Sequence, residues 1–160
     1  METQSEFLQL GLSDETLKTI AEKGFEIPTP IQKLAIPVLI HETCDIIGQA
    51  QTGTGKTAAF GLPIIEKISK GKDGNVNALI LVPTRELALQ VTDEINSFKG
   101  NRNISIITLY GGQSISEQQR RLKRGADVVV GTPGRILDLL RRKDLILDFI
   151  EWVVLDEADE

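Results

Sequence analysis

Cysteine, histidine and long apolar runs are nearly absent from this sequence, and each absence excludes a class of protein. The single cysteine, Cys44, excludes an internal disulfide, and its place at the start of an apolar stretch predicts a buried, inert thiol. The single histidine, His41, lacks the partners of a zinc site, so we expect it at the surface end of a helix. No apolar run approaches the roughly 20 residues of a membrane span, and the N-terminus METQSEFLQL lacks the features of a signal peptide. We therefore expect a cytoplasmic protein without membrane attachment.

Positive charge and aromatic residues are also scarce, which limits how the chain could bind nucleic acid. The net charge is −5, and aromatic residues make up 4% of the chain. This composition argues against a broad basic surface and against a platform on which bases stack. Two local basic runs, at residues 120–124 and 141–143, are typical of solvated helix faces. A bound single strand would have to be held mainly through its phosphates.

Short apolar segments alternate with helical segments along most of the chain. Runs rich in β-branched residues predict strands at residues 45–48, 76–82, 104–110, 126–130 and 152–155. Helices are expected to begin near Gly55, Thr84, Ser114 and Pro133. Several of these strands are apolar on both faces, as in a parallel sheet covered by helices on each side. The length of 160 residues fits one domain, so the sequence predicts a single α/β domain of this kind.

Two further helices are expected before the first of these strands. One runs from Ser13 to Lys23 and starts at a capping serine followed by acidic residues. The other runs from Thr29 to about Ile40 and has a proline at its first helical position. We expect Pro37 to kink this second helix or to end it early, because proline lacks the N–H that the helix needs.

The segment AQTGTGKT has the composition of a phosphate-binding loop between a strand and a helix. Glycines in such a loop let several N–H groups point at phosphate oxygens near the positive end of the helix. Lys56 would reach the β and γ phosphates, and Thr57 would offer its hydroxyl to Mg²⁺. The general pattern has glycine where this chain has Ala50. The predicted loop consists of Ala50, Gln51, Thr52, Gly53, Thr54, Gly55, Lys56 and Thr57.

Carboxylates follow the last predicted strand directly. In an enzyme with a phosphate-binding loop, Asp156 would hold Mg²⁺ directly or through water, and Glu157 would orient and deprotonate the attacking water. Taken alone, the same acids could be a solvated turn or a helix start. Lys56 and Thr57 in the same chain favour the metal site over that alternative.

Five or six motifs, in the same order and covering essentially the whole chain, resemble those of DEAD-box RNA helicases of helicase superfamily two. The motifs are AQTGTGKT, PTRELALQ at residues 83–90, Gly111-Gly112, TPGR at residues 132–135 and DEAD at residues 156–159, with GFEIPTPIQ at residues 24–32 matching the Q motif. Phe7 occupies the usual place of the isolated upstream aromatic, so the Q motif region spans residues 5–33. The resemblance also explains Ala50, because the family has alanine there. It implies a P-loop NTPase of the RecA-like type.

The resemblance assigns roles to individual residues. Phe25 would stack on adenine, and Gln32 would use its amide on the N6 and N7 edge, which selects ATP over GTP. Asp159 would link the acidic Mg²⁺-binding loop, residues 156–159, to motifs further along the family's sequence. A second group would meet RNA phosphates and sugars without reading base sequence. This group is Pro83, Thr84, Arg85, Gly111, Gly112, Thr132, Pro133, Gly134 and Arg135.

The resemblance further implies parts that residues 1–160 do not contain. One part is a strand with a Ser-Ala-Thr motif, expected between the strand that precedes the phosphate-binding loop and the strand that ends at Leu155. The other is a second RecA-like domain with arginine fingers. On this view, the RecA-like domain is partial and incomplete at its C-terminus. The 160-residue chain alone is then expected to be unstable or aggregation-prone, and to have negligible ATP turnover.

Three functional hypotheses remain in comparison. The chain is part of an RNA-dependent ATPase that unwinds or remodels RNA duplexes, a P-loop enzyme of another kind such as a small-molecule kinase or a DNA translocase, or a non-catalytic binding module. The segments GFEIPTPIQ and PTREL favour the first hypothesis over the second. Activity of the intact protein discriminates the first from the third.

Overall fold

The structure is a computed structural model that describes residues 3–68 and 74–160, with side chains from residue 6 onward in the first range. The helices are α1 (Thr3–Leu8), α2 (Asp14–Glu22), α3 (Pro30–His41), α4 (Lys56–Ile68), α5 (Arg85–Phe98), α6 (Ile115–Lys123) and α7 (Pro133–Arg141). The strands are β1 (Ala78–Leu81), β2 (Ile106–Leu109), β3 (Val128–Gly131) and β4 (Trp152–Leu155).

The chain divides into two compact units, each with its own elements. The first lies within residues 1–70 and 94–102 and contains α1 to α4. The second lies within residues 71–93 and 103–160 and contains the four strands of the described residues, β1 to β4, with α6 and α7. Helix α5 begins in the second unit and ends in the first.

Helices α2, α3 and α4 of the first unit begin where the sequence predicts, whereas α1 was not predicted. Ser13 caps α2, and its side chain accepts a hydrogen bond from the Thr16 amide at 3.4 Å. Helix α3 starts directly after Thr29, with proline at its first position. Pro37 does not end α3 early, since the helix continues to His41, and the alternative that it kinks the helix stays a prediction. Ala35 and Ile36, just before the proline, are buried, and this burial stabilises the helix enough to offset the hydrogen bond that proline removes.

The second unit is built on a fully parallel sheet in the order β2-β3-β1-β4. One face of the sheet carries Leu79, Ile107 and Val129, which share a buried cluster with residues of α7, and residues of α6 pack against that cluster. On the other face, the Thr108 hydroxyl donates to the Thr92 hydroxyl of α5 at 2.8 Å, and both groups are buried. Helices therefore cover both faces, which confirms the predicted α/β class.

The predicted strand at residues 45–48 does not form. Residues 42–50 have no regular structure, and Ile47 is 102% exposed. A strand exists only through pairing of its backbone, and within the described residues no strand pairs with this segment. The same exposure makes the prediction of a buried Cys44 wrong, because its thiol is at the surface. His41 is exposed at the end of α3, as predicted.

Among residues 3–68 and 74–160, none of the helices has both the length and the apolar character needed to cross a bilayer.

Candidate functional site

The phosphate-binding loop lies in the first unit, immediately before α4. Gly53 and Gly55 both have φ of 80°, the left-handed region that glycine adopts without steric cost. The Thr54 hydroxyl donates to the Gln51 carbonyl and closes the turn. Lys56 begins α4, so the loop meets the positive end of a 13-residue helix. This backbone suits an anionic ligand. The strand that the sequence predicts just before the loop is absent from the described residues.

Gln32 joins the predicted adenine-recognition segment to this loop. Its side chain is 3% exposed, its Nε2 donates to the Gly55 carbonyl at 3.2 Å, and its Oε1 accepts from the Thr29 amide at 3.0 Å. A Cβ on residue 55 would overlap Gln32 Nε2, so glycine is favoured there both by its backbone conformation and by the position of the Gln32 amide. A glutamine amide has two N–H groups and two acceptor lone pairs. One of each therefore remains for a ligand beyond these two bonds.

Phe25 stands in an aromatic cluster of the first unit. Its ring lies 6.4 Å from that of Phe7 and makes an edge contact with Phe98 at 6.0 Å. The Lys23 ammonium is 6.0 Å from the Phe25 ring centre and 5.3 Å from that of Phe98. Lys23 is held there by a 2.6 Å hydrogen bond to the Ser97 hydroxyl. Sequence reasoning identified Phe7 and Phe25 but missed Lys23 and Phe98, which no local motif marks.

The predicted RNA-contacting segments lie in the second unit, each just after a strand. Residues 83–85 follow β1, residues 111–112 follow β2 and residues 132–135 follow β3. Because the strands are parallel, their carboxyl ends form one edge of the sheet. The structure thus brings these segments to the same edge, where Thr84, Arg85, Gly111 and Gly112 are exposed.

Side chains connect these segments to one another. The Arg85 guanidinium lies 5.0 Å from the Tyr110 ring centre, a cation–π distance. Arg135 Nη1 donates to the Gln113 carbonyl at 3.2 Å and to Gln118 Oε1 at 3.0 Å. Sequence reasoning missed Gln118, although a signal existed. It stands between Ile115 and Leu122 on the apolar stripe of α6, where a polar residue is unexpected.

The acidic residues follow β4 at this same edge. The Asp156 amide donates to the Leu81 carbonyl at 3.0 Å and continues the pairing of β4 with β1. Glu157 has a φ of 53°, a left-handed conformation that is uncommon for a residue with a side chain. Such backbone outliers concentrate at functional positions. No cluster of three or more His, Cys, Asp or Glu residues that could hold a metal occurs in the described part of the chain.

The donor chemistry nonetheless fits Mg²⁺. Mg²⁺ binds through one or two hard protein oxygens, with phosphate oxygens and water completing its shell. The Thr57 hydroxyl and the Asp156 carboxylate are such oxygens. Convergence of Lys56 and Thr57 with Asp156 and Glu157 on one bound triphosphate stays a prediction.

Comparison with known proteins identifies close relatives. The DEAD/DEAH box helicase family matches residues 29–160. The RNA helicase CrhR of Synechocystis is 53% identical over 156 residues, which is 98% of this chain and 31% of that protein. The ATP-dependent RNA helicase CshA of Listeria monocytogenes is 52% identical over 98% of this chain and 30% of its own length. The chain therefore spans about a third of the length of these relatives.

Solved structures agree with the fold. A DEAD box protein from the hyperthermophile Methanococcus jannaschii superposes with a TM-score of 0.90 at 49% identity, covering 96% of this chain and 41% of that one. The yeast DEAD-box splicing factor Prp28 superposes with a TM-score of 0.80 at 39% identity, covering 88% of this chain and 34% of that one.

Proposed function

This chain belongs to the DEAD/DEAH box helicase family, and we propose that it is the ATP-binding part of an RNA-dependent ATPase that unwinds or remodels RNA duplexes. The observation that carries the proposal is the hydrogen bond from Gln32 to Gly55, 3.2 Å long. It joins a segment suited to a purine edge with a loop suited to phosphates. A small-molecule kinase is excluded by the family.

The residues of the first unit supply nucleotide binding in this proposal. Phe25 stacks on adenine, and Gln32 uses its remaining N–H and lone pair on the adenine edge. The loop amides and Lys56 bind the phosphates, which the left-handed glycines and the start of α4 support. The contacting loop residues are Ala50, Gln51, Thr52, Gly53, Thr54, Gly55, Lys56 and Thr57.

The metal and the water complete the chemistry. Thr57 would offer its hydroxyl to Mg²⁺, and Asp156 would hold the ion directly or through water. When bound, the ion neutralises charge on the phosphates. Glu157 orients the attacking water and accepts its proton. Asp159 links this loop to motifs outside residues 1–160.

RNA is the proposed partner of the exposed sheet edge in the second unit. Its segments carry backbone groups, hydroxyls and guanidinium groups, which bind phosphates and sugars without reading bases. The proposed RNA contacts are Pro83, Thr84, Arg85, Gly111, Gly112, Thr132, Pro133, Gly134 and Arg135. We further propose that a second RecA-like domain supplies arginine fingers, that residues 1–160 alone turn over ATP negligibly, and that the protein acts in the cytoplasm.

The test compares the full-length protein with two variants. Glu157→Gln should abolish RNA-stimulated ATP hydrolysis while ATP still binds, because the amide cannot accept the water's proton. Lys56→Ala should lose ATP binding itself. Hydrolysis is followed by phosphate release and binding by a fluorescent ATP analogue.

Two results would contradict the proposal in different ways. RNA-stimulated hydrolysis that survives Glu157→Gln would remove the catalytic assignment. A wild-type protein that binds RNA and ATP without hydrolysis, and whose cellular role is unaffected by Glu157→Gln, would favour a scaffold.

A further inference from the structure

Gln118 is a polar residue buried inside the second unit. Its side chain is 0% exposed, on the same face of α6 as Ile115 and Leu122, which pack against the apolar cluster. A buried amide costs stability unless all its hydrogen-bonding groups are satisfied. An apolar side chain of similar size would fill this position without needing hydrogen bonds. The role of the amide therefore lies in the groups that it bonds.

The partners of Gln118 come from two segments at the carboxyl edge of the sheet. Its Nε2 donates to the Tyr110 carbonyl at 2.9 Å and to Gln113 Oε1 at 2.9 Å. Its Oε1 accepts from Arg135 Nη1 at 3.0 Å. Since an arginine can only donate, the orientation of the amide is fixed by this bond. Both N–H groups and one acceptor site are therefore in use.

These bonds link the Gly111-Gly112 turn to Arg135, which lies in a segment separate in sequence. Tyr110 and Gln113 flank the Gly111-Gly112 turn on either side, so Gln118 clamps that turn at both ends. The Tyr110 ring lies beneath the Arg85 guanidinium at 5.0 Å. Arg135 is fixed through Nη1, one of its three guanidinium nitrogens. One buried amide thus positions the glycine turn and Arg135, and indirectly Arg85.

We propose that Gln118 is a positioning residue for RNA binding: it fixes the Gly111-Gly112 turn and Arg135 in the arrangement that meets the RNA backbone. This inference rests on the proposed function. Gln118 itself touches no RNA. Its effect is pre-organisation, because groups already held in place lose less conformational freedom when RNA binds.

The experiment uses the full-length protein and measures RNA-stimulated ATPase activity over a range of RNA concentrations. Gln118→Met keeps the size of the side chain and removes its hydrogen bonds. Gln118→Glu keeps an acceptor for Arg135 but loses both donors to the glycine turn. Gln119→Met is the matched control, since the neighbouring glutamine bonds Asp144 at 2.6 Å instead.

We expect Gln118→Met to raise the RNA concentration at half-maximal activity about tenfold, the effect of losing a hydrogen bond to a charged group. Gln118→Glu should raise it to an intermediate degree. ATP affinity and kcat at saturating RNA should stay within about twofold of wild type, because RNA in excess restores the same complex. Gln119→Met should behave as wild type.

The possible outcomes separate the inference from the proposed function. A wild-type protein without RNA-stimulated hydrolysis contradicts both. If the wild type responds to RNA and Gln118→Met has an unchanged RNA requirement, the inference alone is overturned. A loss of ATP affinity as large as the loss of RNA affinity also overturns it.

If Gln118→Met fails to fold, Gln113→Ala decides, because it removes one partner of Gln118 at a half-buried position. It should raise the RNA requirement about threefold, and an unchanged requirement overturns the inference.

Discussion

The Nε2 atom of Gln32 donates a hydrogen bond to the main-chain carbonyl of Gly55 over 3.2 Å, across 23 residues of sequence. The same side chain accepts from the amide of Thr29 at the start of α3. The phosphate-binding loop and the N-terminus of α3 therefore share one buried amide. A displacement of the loop on ligand binding would therefore shift the Gln32 amide and its bond to the start of α3, and a displacement of the helix terminus would shift the loop.

This relationship predicts different costs for alanine at the two loop glycines. Gly53 and Gly55 have the same φ of 80°, and alanine in that conformation costs about 1–2 kcal/mol. A Cβ at Gly53 meets nothing within 4 Å, whereas one at Gly55 overlaps Gln32. Gly55→Ala should therefore be less stable than Gly53→Ala by a further ~1 kcal/mol or more. Urea unfolding of both variants measures this difference, and equal midpoints would contradict the contact.

The elements with local start signals were predicted correctly. Helices α2, α3, α6 and α7 begin at or next to their expected caps and prolines, because capping depends on residues within one turn. The segment 45–48 was predicted wrongly as a strand. Its composition favours a strand, but strand formation depends on a partner elsewhere, and none of the described residues provides one.

The site was predictable to the extent that its residues form contiguous motifs. Parallel strand ends bring residues 83–85, 111–112 and 132–135 to one edge, as the alternating pattern implies. Lys23 contacts Ser97 and Phe98, which lie far away in the chain, so no spacing rule marks it. The interruption of the apolar stripe of α6 by Gln118 was the one sequence signal available.

A buried polar cluster in the first unit predicts a loss of stability on Arg102→Met. Arg102 is 8% exposed, and its Nη2 bonds the hydroxyls of Ser13 and Thr16 and lies 3.5 Å from the Glu66 carboxylate. Glu66 is 15% exposed and still accepts hydrogen bonds from the Ser13 amide and hydroxyl, so the variant removes its guanidinium partner but not these donors. We expect a loss of about 1–3 kcal/mol, the range for losing hydrogen bonds to a charged group.

Arg142→Met is the matched control for this prediction. Arg142 is 52% exposed and pairs with Asp138 one helical turn away at 3.0 Å. Such a pair contributes at most about 1 kcal/mol. Chemical denaturation measures both variants, and equal small losses would show that the Arg102 cluster contributes little.

We predict that the 160-residue chain self-associates through its end strand β4. It pairs with β1 and is an end strand of the sheet formed by the described residues, with Val153 and Leu155 59% and 60% exposed on one face. Exposed apolar edge strands pair with other chains. Val153→Lys should reduce association in light scattering, whereas Leu137→Lys, at an exposed helical position, should not. A cooperative thermal melt of a monomeric wild-type chain would contradict this prediction.

Two glycines at the proposed RNA edge allow the effect on RNA to be separated from the effect on folding. Gly111 and Gly134 lack left-handed φ values, and a Cβ on either would meet no atom within 4 Å. Gly111→Ala should therefore leave stability nearly unchanged, and Gly134→Ala, in the first turn of α7, should raise it by up to ~1 kcal/mol. Both should weaken RNA binding, because the added methyl group stands where the RNA backbone would approach the main chain. Fluorescence anisotropy with labelled RNA, alongside ATP affinity as an internal control, measures the effect. Wild-type RNA affinity in both variants would contradict a close approach of the RNA backbone at these two glycines.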